Sequence, residues 1–229
     1  MCSSDLQSGL PAGATAAVVN ITVTRTTGPG FVQAAAAGSL QVGTSSVLNV
    51  AGPGQSIAGL TIVPLSADGR IDVYTLGGAD VLVDLFGWFT GDDAEVNDSG
   101  LFVPLTPERI FDSRRATSMN PNTFTSDPGG CCSGSDAALG FASLQGRSSA
   151  VFLNATAIAR GETGFIRIGG NNSSTFSTVN HPATGAIANA ALVPTPGTGT
   201  KAAMNSGGAA RAGVVRPALA VDITGFFTS

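Results

Sequence analysis

Residues 81–91, VLVDLFGWFTG, return at 219–229 as LAVDITGFFTS, the last of several blocks that recur in the same order. AVVNITVTRTTGPGF (17–31) returns as VFLNATAIARGETGF (151–165), matching Asn20 to Asn154 and Gly30-Phe31 to Gly164-Phe165. SSVLNVAGPGQSIAGLTIVP (45–64) returns as FSTVNHPATGAIANAALVP (176–194), matching Asn49 to Asn180 and Val63-Pro64 to Val193-Pro194. The turn Gly77-Gly78 finds Gly207-Gly208, and Tyr74 then falls on Met204. The offset grows from about 130 to 138, which places an insertion at 209–216 of the second copy. A period this long is too large for a solenoid repeat, so each copy is expected to be a domain.

Within each copy the apolar period is two. Val19, Ile21 and Val23 point one way, and Asn20, Thr22 and Thr24 the other; Ile71 and Val73 alternate with Asp72 and Tyr74. Such runs end at GPG, ADG, TGG or NNSS turns. Gly 31, Pro 12 and only 11% charged residues leave few good helix formers. The only helix-like stretch, QAAAAGSL (33–40), is too short and ends in Gly. The expected fold is all-β, with tandem antiparallel, jelly-roll-like sandwiches and a barrel or trefoil as the alternative.

LFVPLTPERIFDSRR (101–115) has no counterpart in the first copy, which is therefore read as truncated at its start. MCSSDL lacks the features of a signal peptide and matches a translated sequencing-adapter end. The expected organisation is 1–6 non-native, 7–91 a truncated module, 92–100 an acidic linker and 101–229 a complete module. A net charge of −4 without a basic cluster argues against a nucleic-acid surface. No apolar run approaches the roughly 20 residues that span a bilayer.

Arg109, Asp112 and Arg114 form R-x-x-D-x-R, in which an acid between two guanidinium groups can accept paired hydrogen bonds. The expected role is structural, an ion-pair network, rather than an anion site. Asp222 lies in an otherwise apolar strand and needs a partner; Arg109 and Arg114 are the two candidates. Asp84, its equivalent, would have no Arg, and the first module should be the weaker. Asn20 and Asn154, like Asn49 and Asn180, read as side-chain hydrogen-bonding positions. The acidic linker (Asp92, Asp93, Glu95, Asp98) lacks the spacing of a calcium loop. His181 is the only histidine, so neither a triad nor a zinc-hydrolase ligand set is expected. No catalytic residue, metal or cofactor is assigned. Cys131 and Cys132 are adjacent and ill placed for an unstrained mutual bridge. With Arg211 and Arg216 of the insertion they mark the candidate recognition loops. Trp88 and Phe89 match Phe226 and Phe227, so they read as scaffold rather than a sugar-stacking platform.

The ordered set PERIFDSR (107–114), AVFLNAT (150–156), Gly164-Phe165, STVN (177–180) and AVDITGFF (220–227) resembles a repeated module of actinobacterial secreted and cell-surface proteins. That family usually reads R-hydrophobic-hydrophobic-D-T-R near its start and V-D-V-x-G-Y-F at its end. Here Ser113 replaces the usual Thr, and Trp88 and Phe226 stand where Tyr is common. The cysteine pair many members carry is missing. The resemblance implies a non-catalytic extracellular or wall-associated module, with cell-wall polysaccharide or other surface proteins as partners. A carbohydrate-binding accessory role beside a hydrolase is the alternative.

Overall fold

The computed structural model describes residues 2–5, 10–91, 94–114, 137–140, 144, 146–169, 176–195, 201–207 and 217–229, with backbone alone at 2–5, 137–140 and 201–207. They form two compact units, Met1–Val96 and Asn97–Ser229, whose boundary falls inside the polar stretch read as a linker. No described residue lies in an α-helix. The stretch 33–40 instead finishes a strand and enters a turn.

The first unit holds β1 (Cys2–Asp5), β2 (Ala14–Thr24), β3 (Gly30–Ala36), β4 (Leu48–Val50), β5 (Ile57–Pro64), β6 (Arg70–Thr75) and β7 (Asp80–Thr90). They make two antiparallel sheets, ordered β1-β6-β3-β4 and β5-β2-β7. One core fills the space between the sheets: Val19, Ile21 and Val23 from one face meet Val32, Ile71 and Val73 from the other. The alternation read from the sequence holds for side-chain direction. It does not hold for burial on β2, where Asn20 (0% exposed) is as buried as Ile21, although it does hold on the equivalent strand of the second copy.

The second unit holds β8 (Phe102–Asp112), β9 (Ala137–Gly140), β10 (Ser148–Ile158), β11 (Gly164–Gly169), β12 (Val179–His181), β13 (Ala186–Pro194), β14 (Lys201–Gly207) and β15 (Ala218–Thr228). Its sheets run β13-β10-β15-β8 and β12-β11-β14-β9, around a core of Val151, Leu153, Ile166, Ile168, Leu219 and Val221. Counted as strands one to eight, these orders are 6-3-8-1 and 5-4-7-2, the strand arrangement of a jelly roll, in which the first and last strands lie side by side. No sheet closes into a barrel, which sets aside the barrel and trefoil alternatives.

The duplication is visible in the hydrogen-bond ladders. Asn20 faces Asp84 across β2 and β7, as Asn154 faces Asp222 across β10 and β15. Bulges fall at Ala14/Ala16 and Val18/Val19 in the first unit and at Ser148/Ala150 and Phe152/Leu153 in the second. A bulge is a built feature of a sheet, so two recurring at matched positions carry more weight than matched letters. The registers also correct one pairing. Tyr74 lies opposite Gln33, and the matching position opposite Arg167 is Asn205, not Met204. Cys2–Asp5, read as non-native, pairs with β6 in the place that β9 takes beside β14.

The one strand of the second unit with no counterpart among the described residues of the first is β8. Its β15 neighbour is buried along most of its length, whereas β7 is an edge strand with Leu82 (51%) and Trp88 (46%) exposed. The equivalents of those two residues, Ala220 and Phe226, are 2% and 5% exposed. Trp88, on the edge strand of its sheet, is thus exposed where Phe226 is buried, because no described strand covers β7.

Candidate functional site

The densest polar cluster among the described residues lies where the first strand of the second unit meets the last. Arg109 and Asp222 are cross-strand partners in the β8–β15 ladder. The guanidinium grips the carboxylate with both arms, Nε donating to Oδ1 and Nη2 to Oδ2 at 3.1 Å. Its remaining nitrogen, Nη1, donates to Asp112 Oδ2 at 3.3 Å. Residues three apart on a regular strand point to opposite faces. A bulge at Ile110, between the Val221 and Asp222 pairings, adds the extra residue that returns Asp112 to the face of Arg109. A second irregularity, between Ile223 and Gly225, accommodates Pro107, which cannot donate to a ladder.

Asp112 is the hub. Its side chain is 1% exposed, and it accepts from Arg114 three times: Nε at 2.8 Å, Nη2 at 2.7 Å and the backbone N–H at 3.1 Å. Hydrogen bonds from Arg114 hold its carboxyl down to about 2 against the cost of burial, with further help from the charges of Arg114 and Arg109. The same contacts raise both arginines: Asp222 is the main cause for Arg109, and Asp112 for Arg114. Of the two candidates for Asp222, Arg109 is thus the partner, and Arg114 is committed to Asp112. Ser113 continues the join, its Oγ accepting from the backbone N–H of Leu219 at 2.8 Å.

Asp84 occupies the Asp222 position in the first unit and stands outside any ion-pair network. No described basic side chain reaches it, and burial alone pushes its carboxyl upward. An acid raised on folding favours the folded state fully below its unfolded value, 3.8, and that contribution is lost as pH rises through the folded value. Asp84→Asn removes this penalty. We expect the variant to melt above the wild type at pH 7, modestly and in the first unit only, with the gap closing below pH 4. Trp88 and Tyr74, the chain's only Trp and Tyr, both lie in that unit, so intrinsic fluorescence reads its melting separately.

The four Asn positions diverge. Asn180 is 9% exposed and donates to Ser177 Oγ at 3.0 Å, but its equivalent Asn49 is exposed. Asn20 is fully buried beside Asp84, while Asn154 is half-buried and no hydrogen bond of its side chain is found among the described residues. A shared side-chain bond therefore does not follow from shared register. Structural pins missed by the sequence reading include Gln33, which ties the 41–44 turn through Gln41 O (2.8 Å), Thr44 Oγ1 (3.1 Å) and Gly43 N–H (3.0 Å). Asn189 is another, donating to Thr178 O at 2.8 Å. For Asn189 the available signal was a polar residue in phase with the core-facing Ile187 and Ala191, whereas Gln33 lies on the outer face of β3, out of phase with Val32 and Ala34.

His181 is buried, with Nδ1 3.1 Å from Pro182 O. Cys131, Cys132, Arg211 and Arg216, like Asp92 and Asp93 of the linker, lie outside the described residues. Among the described residues no three His, Cys, Asp or Glu side chains converge as metal ligands, and no helix is long and apolar enough to cross a membrane. A depression of about 300 Å³ beside Leu10, Pro11, Leu65 and Asp68 offers one ionisable group, and Asp68 is already engaged by Arg70 and Ser66. No protein family, curated protein or solved structure matches this chain.

Proposed function

We propose that the chain is a non-catalytic tandem module of the cell surface or cell wall, acting as a structural or adhesive spacer in which any binding is done by loops. The observation that carries this reading is the Arg109–Asp222–Asp112–Arg114 cluster. The best-formed charged constellation consumes its hydrogen-bonding capacity on joining β8 to β15, so its chemistry is that of a clasp. Chains built of repeated sandwiches keep their ends apart through units that stay folded under load, and the clasp between β8 and β15 closes the second unit against pulling. The likeness of the ordered motifs to secreted actinobacterial modules supports the surface location.

Half-exposed Trp88 favours a second reading, a polysaccharide-binding accessory module, because an exposed indole can stack on a sugar ring. Sedimentation with purified cell wall separates the two. The spacer reading expects no retention above a control protein and no release of soluble wall fragments. Retention reversed by soluble glycan and lost in Trp88→Ala would replace it with the accessory reading.

A further inference from the structure

Arg25, Arg70, Arg109 and Arg114 each hold a carboxylate. Arg167 of β11 is partly buried and makes no ion pair or side-chain hydrogen bond among the described residues. Its chain neighbours Ile166 and Ile168 face the core, so Arg167 and Phe165 share the outer face of their sheet. Asn180 of β12, the cross-strand partner of Phe165, lies on that face with them. We propose that Arg167, Phe165 and Asn180 bind a carboxylated sugar, a uronate, with the arginine taking its carboxylate.

Three observations carry this assignment. First, the guanidinium carbon lies 4.8 Å from the centre of the Phe165 ring, a contact that fixes the planar group while satisfying none of its N–H donors. Second, Nε is buried and has no acceptor, whereas the two Nη nitrogens, equally without partners, keep contact with solvent. A charge partly stripped of water gains more from an opposite charge than a fully hydrated one, and the paired Nη donors fit the two oxygens of a carboxylate. Third, the first copy closes the same spot. Its Gly-Phe pair puts Gln33 at the Arg167 position, and Gln33 is 2% exposed with its amide spent on the 41–44 turn. Tyr74 packs beside Phe31 at 5.8 Å between ring centres. The second copy sets a cation where the first seals an amide, and leaves Arg167 and Phe165 partly exposed. Asn180 donates to Ser177 Oγ at 3.0 Å, which leaves its Oδ1 to accept from a hydroxyl. A hydroxylated ring that carries a carboxylate engages cation, amide and aromatic together; an aspartate or glutamate side chain has no hydroxyl to offer Asn180. The inference rests on this face of β11 and β12 alone, so its failure leaves the spacer reading as it stands.

The test is titration calorimetry of the full chain with D-glucuronate and D-galacturonate, beside glucose and acetate. The expected result is one saturable uronate site per chain, weakened by added salt, with no saturable binding of glucose. Loss of the charge-assisted pair in Arg167→Gln should weaken binding about tenfold. Thermal scans locate the site: uronate should raise the second-unit transition and leave the fluorescence transition of Trp88 and Tyr74 in the first unit unmoved. Arg167→Gln installs the residue that the first copy carries at this position and should melt with the wild type, so lost binding there is not lost folding. Should it melt lower, Arg167→Lys, which keeps the stem and the charge, carries the same comparison and should lose a large part of the affinity. Absence of saturable uronate binding would overturn the proposal, as would equal binding of glucose or equal binding by wild type and both variants. Acetate binding as tightly as the uronates would overturn the sugar assignment and leave a bare carboxylate site.

Discussion

Arg109→Ala should lower the melting temperature of the second unit by roughly 7–11 °C. The arginine holds Asp222 with two donors and Asp112 with a third, and the two acids have 20% and 1% of their side chains exposed. Removing one partner of a buried pair costs about 3–5 kcal/mol, chiefly because it strands the other charge. Arg109 is itself 35% exposed, and Arg114 stays on Asp112, so about 2–3 kcal/mol is the better expectation. Arg109→Lys should lose a large part of the same amount, since a point charge cannot reproduce the two-armed grip. Calorimetry reads the second unit, and fluorescence of Trp88 and Tyr74 should show the first unit unmoved. Asp112, held at about 2 chiefly by Arg114, adds stability that is present above 3.8 and lost as pH falls toward 2, in wild type and variant alike. An unchanged melting curve, with wild type instead stabilised by added phosphate or carboxylate, would make the cluster an anion site and not a clasp.

What the sequence made legible was what repeats. Two copies of V-D-x-x-G, each preceded by N-x-T, placed Asp84 and Asp222 in equivalent strands, and the paired bulges are the structural form of that equivalence. The partner of Asp222 was not legible. Counting by twos puts Asp112 with Arg114 on one face and Arg109 on the other, and the bulge at Ile110 alone reverses that. The exposure of Trp88 was hidden for a different reason. Whether an aromatic is core or surface depends on the neighbouring strand, and nothing within VLVDLFGWF says that none covers it. Burial of Asn20 and exposure of Asn49 likewise depend on which strands flank them. Local pattern sets direction, and the sheet order sets burial.

Gly30→Ala should be the most damaging single-methyl change in the first unit. Gly30 opens β3 in the Gly-Phe pair that recurs at Gly164-Phe165. A Cβ there would stand 1.9 Å from the carbonyl oxygen of Leu76, 2.6 Å from its carbon and 3.2 Å from the nitrogen of Gly77. Those atoms are backbone, so no side chain can turn aside, and the neighbouring Phe31 anchors the approach by accepting from the Leu76 N–H at 2.9 Å. The glycine is required by space, and the close passage lets the strand after β6 reach Gly77 and Gly78, both of positive φ, and turn into β7. Forcing two backbones apart costs about 3 kcal/mol, at the upper end for overpacking. In a unit of this size that lowers the melting temperature by roughly 12–20 °C. Trp88 fluorescence should record the drop while the second transition stays in place. A melting temperature within a degree or two of wild type would mean that the Leu76–Gly77 backbone yields freely, and that the Gly-Phe pair is retained for some reason other than this contact.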